Sequence, residues 1–133
     1  MLNRSTRLAA VVLVLAAAGC GGGDSSPTPT SPTPAPGGSS GATITITSSG
    51  VSPRAVTVSV GSRVTFVNND SRPHEMNSDP HPDHTDCPAI NDVGFLQPGQ
   101  SRQTGNLNTP RTCRYHDHNR DSDTSLQGSI TIQ

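Results

Sequence analysis

Along the C-terminal part of the chain, apolar and polar residues alternate with a period of two. Ile44 and Ile46 alternate with Thr43, Thr45 and Thr47, and Val56, Val58 and Val60 alternate with Thr57 and Ser59. Gly61-Ser62 leads to Val64 and Phe66, and Cys113 and Tyr115 alternate with Thr112, Arg114 and His116 before Ile130 and Ile132 close the chain. Weaker strand signals lie at 94–96 and 100–104, the second after Pro98-Gly99. Side chains of a strand point to opposite faces in turn, so this pattern predicts half-buried strands. No stretch carries a helical stripe. Short period-2 runs parted by Gly, Pro, Asn and Asp predict an all-β, antiparallel sandwich. Ser71 to Asn91 breaks the pattern as a polar, proline-rich insertion too long for a hairpin turn, and long irregular loops in compact domains are usually functional or disordered.

The N-terminal pattern is different. Arg4 and Arg7 precede an unbroken apolar run from Leu8 to Ala18, followed by Gly19 and Cys20. This has the form of a secretory signal and is shorter than the ~20 apolar residues of a membrane span. Leu15-Ala16-Ala17-Ala18-Gly19-Cys20 resembles the lipobox of bacterial lipoproteins, with Ala17 where that motif favours Leu. The resemblance implies lipidation of Cys20 and a membrane anchor; an ordinary secretory signal is the other reading. From Gly21 to Gly41 the chain is Gly, Ser, Pro and Thr apart from Asp24 and Ala35, a composition that buries no apolar surface and predicts a disordered spacer. The expected organisation is a signal peptide over 1–19, a lipidated Cys20 and linker over 20–41, and one domain over 42–133.

A domain of about ninety residues supports one small core. Phe66, Phe95 and Tyr115 are its only aromatic residues, so a covalent staple or a metal would help it fold. The net charge of −1 and the absence of a basic stripe argue against nucleic-acid binding.

The order Pro53, Val56-x-Val58-x-Val60-Gly61, Val64-x-Phe66-x-Asn68 and His74 resembles the first half of a cupredoxin of the plastocyanin and azurin type. Leu96-x-Pro98-Gly99 is similar to the turn before that family's ligand-bearing strand, and Leu126-x-Gly128-x-Ile130-x-Ile132 to its last strand. The resemblance implies a Greek-key β-sandwich or barrel and a copper site. Blue-copper centres use two His, a Cys thiolate and a weak axial Met. In one register His74 matches the first ligand, Asp117 falls near the cysteine position, Cys113 is an inward strand residue, His118 is the second histidine and Leu126 replaces the Met. In the rival register Cys113-Arg114-Tyr115-His116 is the family's Cys-x-x-His. With Cys20 lipidated, Cys87 and Cys113 remain in an oxidising compartment, where two cysteines most often pair. A bridged Cys113 is no copper thiolate, so disulfide and blue centre exclude each other.

All five histidines lie between His74 and His118. His74, His81 and His84 fall in or beside the long insertion, and His116 and His118 end the Tyr115 strand. Imidazoles without thiolate suit Cu(II) or Zn(II). The expected site is His74 and His118 completed by His116, His81 or His84, with Met76 as a soft ligand for Cu(I) and Asp117 as an acceptor behind a ligand. Asp79, Asp83 and Asp86 are either oxygen ligands or ordinary loop polarity. The functional expectation is an exported, membrane-anchored copper protein serving copper handling or electron transfer with a periplasmic redox or copper-donor partner. Zinc is the alternative metal. No Ser-His-Asp order or carboxylate pair marks an enzyme. The competing reading is a metal-free β-sandwich interaction module stapled by Cys87–Cys113.

Overall fold

The structure is a computed structural model that describes residues 41–133; the signal peptide, Cys20 and the expected linker up to residue 40 lie outside the described residues. Nine strands follow in order: β1 (Thr43–Thr47), β2 (Gly50–Ser52), β3 (Ala55–Val58), β4 (Thr65–Asn68), β5 (His74–Ser78), β6 (Gly94–Leu96), β7 (Ser101–Gln103), β8 (Arg111–Asp117) and β9 (Gly128–Ile132). Short 3₁₀ turns occupy Pro88–Asp92, His118–Arg120 and Thr124–Leu126. One sheet has the order β2-β1-β4-β7 and the other β3-β9-β8-β5-β6. The chain passes repeatedly between them, giving an all-β sandwich.

The alternating runs become strands with their apolar sides inward. Ile44 and Ile46 are fully buried in β1 while its threonines line the other face. Phe66 of β4 and Tyr115 of β8 meet edge to face across the two sheets, with ring centroids 5.1 Å apart, a favoured aromatic geometry. Ile90, Val93, Leu96 and Ile130 are also fully buried. Pro98-Gly99 turns the chain towards β7: the Gln100 amide donates to the Gln97 carbonyl at 3.0 Å and Gly99 takes φ 79°, the positive φ that a type II turn needs at its third residue.

Three expectations require correction. The sheets are mixed rather than purely antiparallel, because β1 runs parallel to β4 and β3 parallel to β9. Each pair comes from a chain that changes sheets between the two strands, which turn residues alone do not reveal. Phe95 is 43% exposed on β6 and adds little to the core, and Val60, 44% exposed, lies beyond the end of β3. The insertion is also less irregular than its composition implies: it contains β5 and the Pro88–Asp92 turn, whose Ile90 enters the core.

Cys87 and Cys113 form a disulfide across 26 residues. In the chain-entropy account such a closure contributes about 3–4 kcal/mol, a large fraction of a small domain's stability. The rival register, with Cys113 as a thiolate ligand, is thereby excluded.

Glycine substitutions test the packing. A Cβ on Gly128 would collide with the Tyr115 hydroxyl and the Arg54 carbonyl, whereas one on Gly61 meets nothing within 4 Å and suffers only from its φ of 84°. Gly128→Ala should cost about 2–3 kcal/mol, as overpacking does, and Gly61→Ala about 1 kcal/mol. Urea unfolding of the two variants measures the difference.

Candidate metal centre

β8 presents different chemistry on its two faces. Cys113, Tyr115 and Asp117 alternate inward, and the contact between Tyr115 and Phe66 identifies that side as the core. Arg114 and His116 therefore point away from the opposite sheet. Neighbouring β5 follows suit: Met76 pairs with Asp117 and Asn77 with His116, so His74 and Met76 share the inner side. The five histidines thus divide between two environments.

His74 lies in the inner environment, fully buried at the start of β5. Its Nδ1 is 2.8 Å from Asp117 Oδ2 and its Nε2 is 3.1 Å from Asp70 Oδ2. Arg72 reaches Asp70 at 3.2 Å and Arg120 reaches Asp117 at 3.4 Å. The other Asp117 oxygen accepts from the Glu75 and Asn119 amides. Both ring nitrogens of His74 therefore face carboxylate oxygens rather than other imidazoles. Asn68 builds the turn behind it, with its side-chain amide donating to the Arg72 and Leu96 carbonyls and its side-chain oxygen accepting from the Asp70 amide. Burial alone would raise the Asp70 carboxyl, but hydrogen bonds from His74, the Ser71 amide and Arg72 outweigh it and hold the group at about 2.

The other four histidines converge on the outer side. One ligating atom from each of His81, His84, His116 and His118 can be chosen so that all lie within 4.8 Å of one another. His116 comes from β8, His118 from the 3₁₀ turn that continues it, and His81 and His84 from the insertion, which covers His116 and leaves it 2% exposed. His81 is exposed and His84 and His118 are half-buried.

Orientation within this group is specific. His116 Nδ1 lies 2.7 Å from Asp79 Oδ1, which sets Nδ1 as the protonated nitrogen and leaves the Nε2 lone pair free. That Nε2 is buried and has no hydrogen-bond partner. Buried polar atoms rarely stay unpaired without a functional reason, and a carboxylate behind a histidine is the arrangement that orients metal ligands. His84 Nε2 and His118 Nδ1 stand 3.1 Å apart. Either they share a proton, or both lone pairs meet one cation; two ligands with bonds of about 2.0–2.1 Å at roughly tetrahedral angles have about this separation. Burial, then the charges that His116, His118 and His81 would carry, hold His84 below the ordinary histidine range, favouring the neutral, ligating form.

The backbone at His84 is held firmly. It adopts φ 52°, the only positive φ of a non-glycine among the described residues, a conformation that costs about 1–2 kcal/mol. Its amide donates to the Pro80 carbonyl, while its own carbonyl accepts from Ser78 Oγ and Asn91 Nδ2. Strain that persists under such restraint is common at functional sites.

Of the expected site residues, the structure brings His81, His84, His116 and His118 together and leaves His74 with two carboxylates. Met76 is on the core side, away from the cluster. Asp117 supports His74 rather than a clustered histidine, and Asp79 stands behind His116. Asp86 pairs with Arg111, and Asp83 is exposed. Sequence reasoning gave no role to Asp70, Ser78 or Asn91, because nothing in their spacing signals what they contact.

Neither a protein family nor a characterised protein matches the chain by sequence. Its fold is that of the cupredoxins. It superposes on a purple cupredoxin from Nitrosopumilus maritimus with a TM-score of 0.54 and 20% identity, covering 69% of this chain and 99% of that one. An oxidised plastocyanin from Dryopteris crassirhizoma gives a TM-score of 0.54 and 19% identity over 69% and 100% of the two chains. A Cu(I) amicyanin variant gives 0.54 and 15% over 70% and 82%. At these identities the likeness establishes the fold. The blue-copper ligand set does not fit this chain: the candidate thiolate Cys113 is bridged, Asp117 occupies the expected cysteine position, and His74 is engaged at both nitrogens.

The acid limb of stability tests the inner network. Asp70 ordinarily titrates near 3.8 and is lowered to about 2 in the fold. A lowered carboxyl contributes stability that is complete above 3.8 and is lost as pH falls towards 2. Urea midpoints between pH 5 and 2 should fall less steeply in Asp70→Asn than in the parent; parallel limbs would show that Asp70 carries no such coupling.

Proposed function

We propose that this chain is a copper-binding protein of cupredoxin fold whose metal is held by His81, His84, His116 and His118. The buried, unpartnered Nε2 of His116, aimed among three other imidazoles and backed by Asp79, is the observation that carries this reading. A metal-free interaction module offers no reason to bury that lone pair. Four neutral imidazoles suit borderline cations, and for nitrogen donors Cu(II) binds more tightly than Zn(II). Zinc is the competing occupant. Bound copper would supply a Cu(II)/Cu(I) couple, but without thiolate or thioether the donor set favours Cu(II). This supports copper handling over rapid electron transfer. The exposed edge at His81 gives a donor or acceptor protein access.

The N-terminal signal and Cys20 support an exported lipoprotein tethered to a membrane, with the linker as spacer. A periplasmic copper donor or redox partner fits that setting. The role proposed is binding rather than catalysis.

Copper titration tests the reading. The full chain should bind one Cu(II) without an intense blue band, and its melting temperature should rise, since a ligand of the folded state alone adds about 2.7 kcal/mol at a hundred times its Kd. His81→Ala with His84→Ala should abolish the rise. His74→Asn should lower basal stability and keep the metal response, and Asp79→Asn should weaken binding about 10–100-fold. Loss of binding in His74→Asn alone, with the fold intact, would relocate the site; a parent that binds neither copper nor zinc would leave the interaction module as the better account.

A further inference from the structure

We infer that the Cys87–Cys113 bridge is the positioning element of the four-histidine site, so that opening the bridge loosens the metal and bound metal protects the bridge. This rests on the metal reading above. Two segments each supply two ligands: His81 and His84 from the insertion, His116 and His118 from β8 and the turn after it. The disulfide joins the same two segments, with Cys87 three residues after His84 and Cys113 three residues before His116.

The topology explains why a tie is needed. β5 pairs with β8 only from Met76–Asp117 to Ser78–Tyr115. Beyond Ser78 the edge of β8 is left to the insertion, which crosses the outer side with His81 and His84 and then turns into the core at Cys87 and Ile90. Hydrogen bonds hold the His84 backbone from the near side, and the Asp86–Arg111 ion pair is partly exposed. The bridge is the covalent tie beyond them. Because Cys113 faces inward and His116 outward on the same strand, the bridge holds the ligand segments together without its sulfurs entering the cluster. Linking two ligand-bearing segments raises the effective concentration of one pair of imidazoles for the other.

The bridge can also be reached. A cavity of about 270 Å³ lies against it, lined by Asp86, Cys87, Ala89, Leu107, Arg111 and Cys113. Cys87 is 6% exposed and Cys113 fully buried, so Cys87 is the half of the bridge nearer solvent. A dithiol reductant, as its thiolate, would bond to Cys87 Sγ and expel Cys113 as thiolate. The second thiol of the dithiol would then resolve the mixed disulfide, releasing Cys87. The dithiol loses two electrons as it becomes a disulfide, and the chain's cystine gains them as two thiols.

Zinc, which is redox-inert, is the probe, used with the full chain carrying Cys20→Ser so that only the bridge titrates. The oxidised chain should bind zinc at least tenfold more tightly than the Cys87→Ser, Cys113→Ser variant. Linkage is reciprocal, so the same tenfold should lower the bridge's midpoint potential by about 30 mV in glutathione buffers at saturating, fixed free zinc. His81→Ala with His84→Ala should show no zinc-dependent shift, which a merely structural disulfide would not distinguish. If the serine variant fails to fold, the midpoint of the parent chain decides alone. Zinc bound by the oxidised parent with an unmoved or raised midpoint would overturn the coupling and leave the metal site standing. Failure of the oxidised parent to bind zinc or copper would overturn both.

Discussion

The period-2 alternation of β8 is the constraint on which the rest of the molecule depends. One strand must send Cys113, Tyr115 and Asp117 into the sandwich and His116 out of it. A shift of register by one residue would reverse every one of these assignments. Inward placement lets Tyr115 pack on Phe66, lets Cys113 bond to Cys87 and lets Asp117 hold His74. Outward placement puts His116 under the insertion, beside Asp79. Core, covalent staple and candidate metal centre are therefore consequences of one registration.

The same alternation gives chemically similar residues opposite roles. His74 and His116 are both buried and both contact a carboxylate. His74 meets a carboxylate at each nitrogen, and Arg72 and Arg120 pair with those two carboxylates. Breaking one partner of such a group strands the other, so its contribution shows mainly as rigidity and as sensitivity to acid. His116 meets one carboxylate, and its second nitrogen faces other imidazoles. The first arrangement is complete without a metal, whereas the second leaves a buried lone pair that a cation would satisfy. The cupredoxin fold is retained, and the proposed metal site lies on the outside of the sheet.

Most of the strands were legible because alternation is a local signal: Ile44 with Ile46, Cys113 with Tyr115, and Ile130 with Ile132 each declare a face. The parallel pairings of β1 with β4 and β3 with β9 were not, since they depend on strands distant in sequence. β5 was hidden because His-Glu-Met-Asn-Ser carries polar residues on both faces, and its burial comes from partners rather than composition. For the centre, the sequence announced histidines and a long polar insertion, and it announced that Cys113 could be either bridged or a ligand. It did not announce which four histidines meet, because His74 is separated from the cluster by the thickness of a sheet rather than by residue number. The role of Asp79 was equally unreadable: three aspartates punctuate the insertion at 79, 83 and 86, and only folding sets one of them behind His116.

The location of the metal is the central claim, and anomalous diffraction from copper-loaded crystals of the full chain tests it most directly. The account predicts one anomalous peak, on the outer side of the sheet among His81, His84, His116 and His118, with nitrogen neighbours and no sulfur. A peak on the inner side at His74 and Asp117, or a sulfur neighbour contributed by Cys113, would contradict it.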